Sequence, residues 1–264
     1  MDPPDDITFP QFCADVTALT GFPLAAYRPA QVERRTRAFA RRQGAQTLAD
    51  FLRLLAEQPP LCRRYLDYLT INVTEFFRDP EQFEELVSLA LLPLLRTRRA
   101  LRLWSTGCAN GAEAYTLGML LVRLCPEARY QVLATDIHLP GLQAAREGEF
   151  SEKAVRNLPD ALRHRYFTRT QGGRFLIDPV LQRAVQFTAH DLLRDPFPED
   201  LDLILCRNVV IYFTTEAKEV LYPRLFRALR PGGYLMLGKT ERILTAHHLG
   251  FLTPGQHLYQ RPEE

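Results

Sequence analysis

The chain has 264 residues, 46% of them apolar and 24% charged, with a formal net charge of +2. That profile supports a substantial core in one large domain, or in a medium domain plus a small one. A charge so balanced gives no argument for a nucleic-acid or membrane partner.

The five cysteines (Cys13, Cys62, Cys108, Cys125 and Cys206) are odd in number and scattered, with no C-x-x-C pair. No zinc site or disulfide framework is expected from them, and a reducing compartment suits them better. The first residues, MDPPDDITF, are acidic and proline-rich, unlike a signal peptide. The longest apolar run, LVSLALLPLL (86–95), is too short to cross a bilayer and contains Pro93. A cytoplasmic protein without direct membrane insertion is therefore expected.

The first seventy residues read as helices. Phe9, Phe12, Cys13, Val16 and Leu19 fall at helical spacing, with Gly21 placed to end the helix. A second helix is predicted over 29–43, between Pro29 and Gly44. A third begins at the capping-box-like Thr47-x-x-Asp50, and a fourth follows Pro59-Pro60 to about Leu69. From residue 100 the pattern changes. ALRLWS (100–105), YQVLATD (130–136), LDLILC (201–206) and GGYLMLG (232–238) read as buried strands, with helices expected at 111–124, 139–147 and 215–229. Such alternation predicts an α/β fold, a mostly parallel sheet wrapped by helices, with ligands beyond the strands' C-terminal ends. The stretch 165–193, around Gly172-Gly173, interrupts the rhythm. It reads as a small antiparallel insert whose last strand joins the main sheet.

LRLWSTGCANGAEAY (101–115) carries a strand into a loop with Gly107 and Gly111, then a helix bearing Glu113. The spacing is not the dinucleotide G-x-G-x-x-G, and no Lys-Ser/Thr follows to make a phosphate loop. An acid here repels a pyrophosphate and suits a ligand with a positive end. Asp136, closing the second strand, stands where an acid accepts hydrogen bonds from ribose hydroxyls. Ribose without diphosphate, plus a cationic end, describes S-adenosylmethionine. The alternative is a helix-start acid favoured by the helix dipole and a turn aspartate. Three further groups stay open on the residues alone. In TINVTEFFRD, Asn72, Thr74 and Arg78 read first as a capped helix start with a solvated arginine. In CRNVVIYF, Arg207-Asn208 lies on the ligand edge, with Tyr212 either in the crevice or in the core. In the basic helix, Arg34, Arg37 and Arg41 share a face that is either solvated or a docking stripe, without the interleaved aromatics of a nucleic-acid surface. The six histidines are scattered and suggest no metal centre.

NVTEFFRD, WSTGCANGAEAY, ATDI, CRNVVIYF and LRPGGYLMLGKTE occur in the order and spacing of the CheR-type chemotaxis methyltransferases, and the chain resembles that family over nearly its whole length. The resemblance implies a class I S-adenosylmethionine-dependent methyltransferase with a Rossmann-like sheet. It further implies an N-terminal helical domain (1–70), a methyltransferase domain (71–264) and a β-subdomain inserted around 165–187. It implies methyl transfer from S-adenosylmethionine to glutamate side chains of chemoreceptors, leaving S-adenosylhomocysteine. The receptor's cytoplasmic helical domain is the implied partner, and the enzyme is expected to be a monomer.

The residues at matching positions would then take the family's roles. Asn72, Thr74 and Arg78 close over the cofactor, Gly107 and Glu113 lie in its glycine loop, and Asp136 binds ribose. Asp191 and Leu192 lie by the adenine, and Arg207 and Asn208 at the strand-end site. Arg78 and Tyr212 serve the acceptor carboxylate, and Arg34, Arg37 and Arg41 face the receptor. Three positions depart from the family pattern: Ala112 for an acid, Asp191 for asparagine and Lys239 for histidine. A glutamate carboxylate is already ionised at neutral pH, with a reference pKa of about 4.3. No general base is then required, and positioning alone can contribute roughly 7–11 kcal/mol. A methyltransferase with another acceptor and a non-catalytic cofactor sensor are the alternatives.

Overall fold

The computed structural model describes residues 7–70 and 74–264. The chain divides into two compact units, one of Met1–Ile71 with Tyr212–Glu219, the other of Asn72–Ile211 with Val220–Glu264.

The first unit is helical: α1 Phe9–Thr20, α2 Pro29–Arg42, α3 Leu48–Glu57 and α4 Pro59–Leu69. Its ends follow from side chains. Thr8 and Thr47 cap α1 and α3 by accepting from the amides of Gln11 and Asp50, and Gly21 ends α1 at φ 74°. Phe9, Phe12, Cys13 and Val16 make one buried stripe on α1. The rings of Phe12, Phe39, Phe51 and Tyr65 pack together, with Phe51 edge-on to Tyr65 at 5.0 Å between centroids. The one buried hydroxyl pair among them, Thr36 and Tyr65, is satisfied at 2.6 Å.

The second unit opens with α5 Pro80–Leu86, which runs through a π-helical segment, Val87–Leu91, into α6 Leu92–Thr97. Pro93 has no N–H for a carbonyl one turn back, which accounts for the widened register just before it. The α/β part then runs β1 Ala100–Thr106, α7 Ala112–Leu124, β2 Arg129–Asp136, α8 Leu139–Glu147, β3 Glu149–Phe150, α9 Glu152–Val155, α10 Asp160–Tyr166, β4 Phe167–Arg169, β5 Phe175–Ile177, α11 Pro179–Ala184, β6 Val185–Ala189 and β7 Leu201–Cys206. It ends with α12 Thr215–Ala228, β8 Leu229–Leu237 and β9 Leu258–Gln260.

The main sheet has the order β6-β2-β1-β7-β8-β9, parallel except for β9. All six residues of β7 are buried, as a strand covered on both faces requires. The chain winds outward from β1 through β2 to β6, then returns to β7 on the other side of β1. The order therefore reverses between β1 and β7, and their C-terminal ends open the crevice where such sheets take ligands.

The insert begins earlier than the expected 165–187, and its last strand joins the main sheet as expected. Its three-stranded antiparallel sheet, β3-β5-β4, reaches back to Glu149–Phe150, two residues too short to carry a period in the sequence. Val185–Ala189 belongs to the main sheet beside β2. Strand β9 is an addition to the four expected strands.

Candidate active site

The loop after β1 makes its turn with Gly107 at φ 61°, Ala109 at φ 49° and Gly111 at φ 84°. Side chains there have no room. A Cβ on Gly107 would stand 2.4 Å from Val209 Cγ2, and one on Gly111 2.8 Å from Phe187 Cζ. Gly111 leads directly into α7, so Ala112 and Glu113 occupy its first turn.

Asp136 holds this loop from the neighbouring strand. Its Oδ2 accepts from the Ala109 amide at 2.7 Å and its Oδ1 from the His138 amide at 2.8 Å. The residue is 7% exposed, and burial pushes its carboxyl above the ordinary value despite those donors. A carboxylate offers about four acceptor sites, so capacity remains for a ribose hydroxyl.

Glu113 lies across the loop. Its Oε1 accepts from Ser105 Oγ at 2.8 Å and its Oε2 from Arg207 Nη1 at 3.0 Å. Arg207 follows β7, and its side chain is 2% exposed. Its Nη2 donates to the Arg78 carbonyl at 2.7 Å, reaches Asp79 Oδ2 at 3.4 Å, and shares Gln82 Oε1 with Nε at 2.9 and 3.1 Å. The Phe83 ring lies 4.9 Å from the guanidinium carbon. One buried cation thus joins the segment before α5, the glycine loop and the end of β7.

Asn208 stands at φ 58°, in the left-handed region asparagine tolerates. Glu241 holds that turn: its Oε2 accepts from the amides of Asn208 and Gly238, both at 2.7 Å, and its Oε1 from Ile211 at 3.1 Å. Burial raises the Glu241 carboxyl, opposed by these amides.

The remaining expected residues fall as follows. Asn72 lies outside the described residues. Thr74 and Arg78 are half-buried, with Phe76 and Phe77 buried between them. The Phe77 amide donates to Thr116 Oγ1 on α7 at 3.2 Å, which fixes this segment against the loop's helix. Leu192 is buried. Asp191 spends its carboxylate locally: Oδ1 accepts from the Leu193 amide at 2.8 Å, and Oδ2 is 3.8 Å from Arg194 Nε. Ala112 is fully buried, so an acid there would meet core rather than ligand. Lys239 pairs with Glu81 at 2.7 Å on the surface.

Tyr212 and the arginine stripe group with the helical unit. Tyr212 is half-buried in a 3-10 turn, Val210–Tyr212, and its carbonyl accepts from the Arg28 amide at 2.8 Å. Arg34 and Arg41 are exposed on α2, whereas Arg37 is bound to Glu33 through Nε at 2.9 Å and Nη2 at 2.8 Å. The stripe therefore presents less charge than its sequence suggests.

Cys108 and Cys206 are buried, and burial pushes both thiols above their ordinary value, away from the thiolate form. Among the described residues no group of three or more His, Cys, Asp or Glu gathers to hold a metal ion. No helix among them is long and apolar enough to cross a membrane. Sequence reasoning gave Gln82 no role, and it quoted Asp79, Ser105 and Glu241 only inside motifs.

A doubly wound sheet with a glycine loop after β1 and two acids instead of a phosphate cradle defines an S-adenosylmethionine-dependent methyltransferase. Residues 72–255 match the CheR methyltransferase, SAM binding domain, and residues 7–70 the CheR methyltransferase, all-alpha domain. The chain belongs to the CheR methyltransferase family, and its cofactor is S-adenosylmethionine. It is 35% identical over 240 residues to a chemotaxis protein methyltransferase of Listeria monocytogenes, covering 90% of this chain and 91% of that one. The corresponding protein of Listeria innocua is 33% identical over 240 residues, again at 90% and 91% coverage. Chemotaxis protein methyltransferase 1 of Pseudomonas aeruginosa is 32% identical over 235 residues, covering 84% and 85%.

Proposed function

We propose that this chain methylates glutamate carboxylates on the cytoplasmic helical domain of a chemoreceptor, acting in the cytoplasm as a monomer. In this reading residues 1–70 form the receptor-facing domain and 71–264 the transferase domain with its β-insert. The observation that carries the reading is the Arg207 cluster, in which one guanidinium holds both Glu113 and the backbone of Arg78.

S-adenosylmethionine, when bound, supplies an activated methyl on a sulfonium. Glu113 meets its cationic amino-acid end, Asp136 accepts from the ribose hydroxyls, and Gly107 and Gly111 let the backbone approach. Asn72 and Thr74 cover the cofactor, Leu192 packs by the adenine with Asp191 shaping that turn, and Arg207 and Asn208 fix the β7 end. Arg78 orients the acceptor carboxylate, with Tyr212 as a hydrogen-bonding neighbour. Arg34, Arg37 and Arg41 attract an acidic receptor helix. The incoming carboxylate is anionic at neutral pH, so the residues need only align it and exclude water.

The test is incubation with methyl-labelled S-adenosylmethionine and receptor cytoplasmic domains, followed by mapping of the labelled residues. Base-labile label on glutamates is expected. Label confined to a small molecule, a nucleic acid or another side chain would refute the acceptor, and tight cofactor binding without transfer to any receptor would refute the activity.

A further inference from the structure

Gln82 is 2% exposed on α5, and its neutral amide hydrogen-bonds the Arg207 guanidinium. Both polar atoms of its amide are engaged. Oε1 takes both Nε and Nη2 of Arg207, at 3.1 and 2.9 Å, and Nε2 donates to the Leu237 carbonyl at the end of β8, at 3.2 Å. A guanidinium presents its donors in a rigid plane, so capturing Nε and Nη2 on one atom fixes where Nη1 points. Nη1 is the nitrogen that meets Glu113 Oε2, at 3.0 Å.

We infer that Gln82 is a positioning residue for the cofactor site: it anchors Arg207 to the end of β8 so that Nη1 holds the Glu113 carboxylate in its binding orientation. Without that anchor the guanidinium turns toward Asp79, now 3.4 Å from Nη2, and Glu113 loses its fixed partner. The effect is on orientation, because the amide carries no charge and leaves the ion pair's electrostatics to Arg207 and Glu113. A buried group held by neighbours of its own is what a binding acid needs to meet a ligand without reorganising. The inference rests on the proposed role of Glu113.

The test is a double-mutant cycle on the full chain, read as the dissociation constant for S-adenosylhomocysteine by calorimetry. Gln82→Met keeps the side chain's length and removes both hydrogen-bonding atoms. It is expected to weaken binding about tenfold in the wild-type background and less than twofold in Glu113→Gln, because the two residues act through one cation. Equal losses in both backgrounds would overturn the inference, since damage to the fold adds independently of Glu113. So would an unchanged affinity for Gln82→Met while Glu113→Gln binds weakly. If Glu113→Gln alone leaves affinity intact, the assignment of Glu113 fails instead, and the two failures are distinct. Should Gln82→Met not fold, Gln82→Glu, which keeps an oxygen for Arg207 but loses the donor to Leu237, takes its place in the same cycle: a tenfold loss that shrinks below twofold in Glu113→Gln supports the anchor, and binding within about threefold of wild type overturns it.

Discussion

The helical unit and the C-terminal edge of the sheet solve opposite problems. In the helical unit, aromatic rings fill the space between α1, α2, α3 and α4, and the buried Thr36–Tyr65 pair satisfies itself. At the sheet edge, Asp136, Arg207 and Glu241 are all nearly dry, at 7%, 5% and 3% exposed. Rings hold by area and tolerate small shifts; buried charges hold only when each partner stays in place. This molecule concentrates its geometric precision, and the desolvation cost that accompanies it, where the cofactor goes.

Substitutions in the two regions should therefore fail differently. Arg207→Met is the most severe case. It strands Glu113 and Gln82 without their partner, and a loss of about 3–5 kcal/mol of stability is expected together with loss of methyl transfer. Denaturant unfolding and the transfer assay check this; a stable protein with normal turnover would break the comparison. Phe51→Ala empties the middle of the aromatic cluster and should cost about 3–5 kcal/mol by the same measurement. Its affinity for S-adenosylhomocysteine at low temperature should stay within about twofold, because no charge at the sheet edge loses a partner.

Arg78→Ala sharpens the contrast within the edge itself. Arg207 holds the backbone of Arg78, so the segment stays put and only the orienting side chain is lost. Turnover should fall about 100-fold, roughly 2.7 kcal/mol, with cofactor affinity much less affected. Equal losses of both would place Arg78 in cofactor binding alone. Asp136→Ala should weaken S-adenosylhomocysteine about tenfold, roughly 1.4 kcal/mol. Wild-type affinity should also fall as pH drops. The folded carboxyl of Asp136 is raised by burial, so it gains its proton above the range of an exposed aspartate and then can no longer accept fully from ribose. The sign for stability is opposite: the folded state binds that proton more tightly than the unfolded one, so this group's contribution declines as pH rises through the raised value. Calorimetry across pH 4–7, with Asp136→Ala flattening the profile, separates the two. The smallest effect belongs to Arg34→Glu with Arg41→Glu: transfer to a receptor should fall about fivefold at low salt, with the difference shrinking as salt rises and cofactor affinity unchanged.

What was legible in the sequence follows the same division. Strand β7 announces itself because both of its faces are covered and all six residues are buried, and β1, β2 and β8 by their apolar stretches at 103–104, 132–134 and 234–237. The glycine loop is legible because its turn excludes side chains locally. Partnerships across the edge are not. Gln82 meets Arg207 at a separation of 125 residues and Leu237 at 155, and Glu241 meets Asn208 at 33. No periodicity spans such distances. A glutamine on a helix or a glutamate in a loop looks like surface until the strand ends bring their partners together. Gly238 illustrates the mixture: its place after β8 is readable, but the reason it must be small, a Cβ 2.6 Å from Glu241 Oε2, exists only in the fold.

Four non-glycine residues, Phe77, Asp79, Ala109 and Asn208, take left-handed backbone in the three segments that meet at Arg207. In a comprehensive substitution library these positions should rank residues by backbone rather than by chemistry. Glycine and asparagine should outperform valine and isoleucine at 79, 109 and 208, whatever their polarity. The rest of the edge would show the ordinary preference for apolar or charge-preserving replacements. An inverted ranking at these points, shared outside the site by Asp200 at φ 56°, would mark the site from growth or stability measurements, without any ligand in hand.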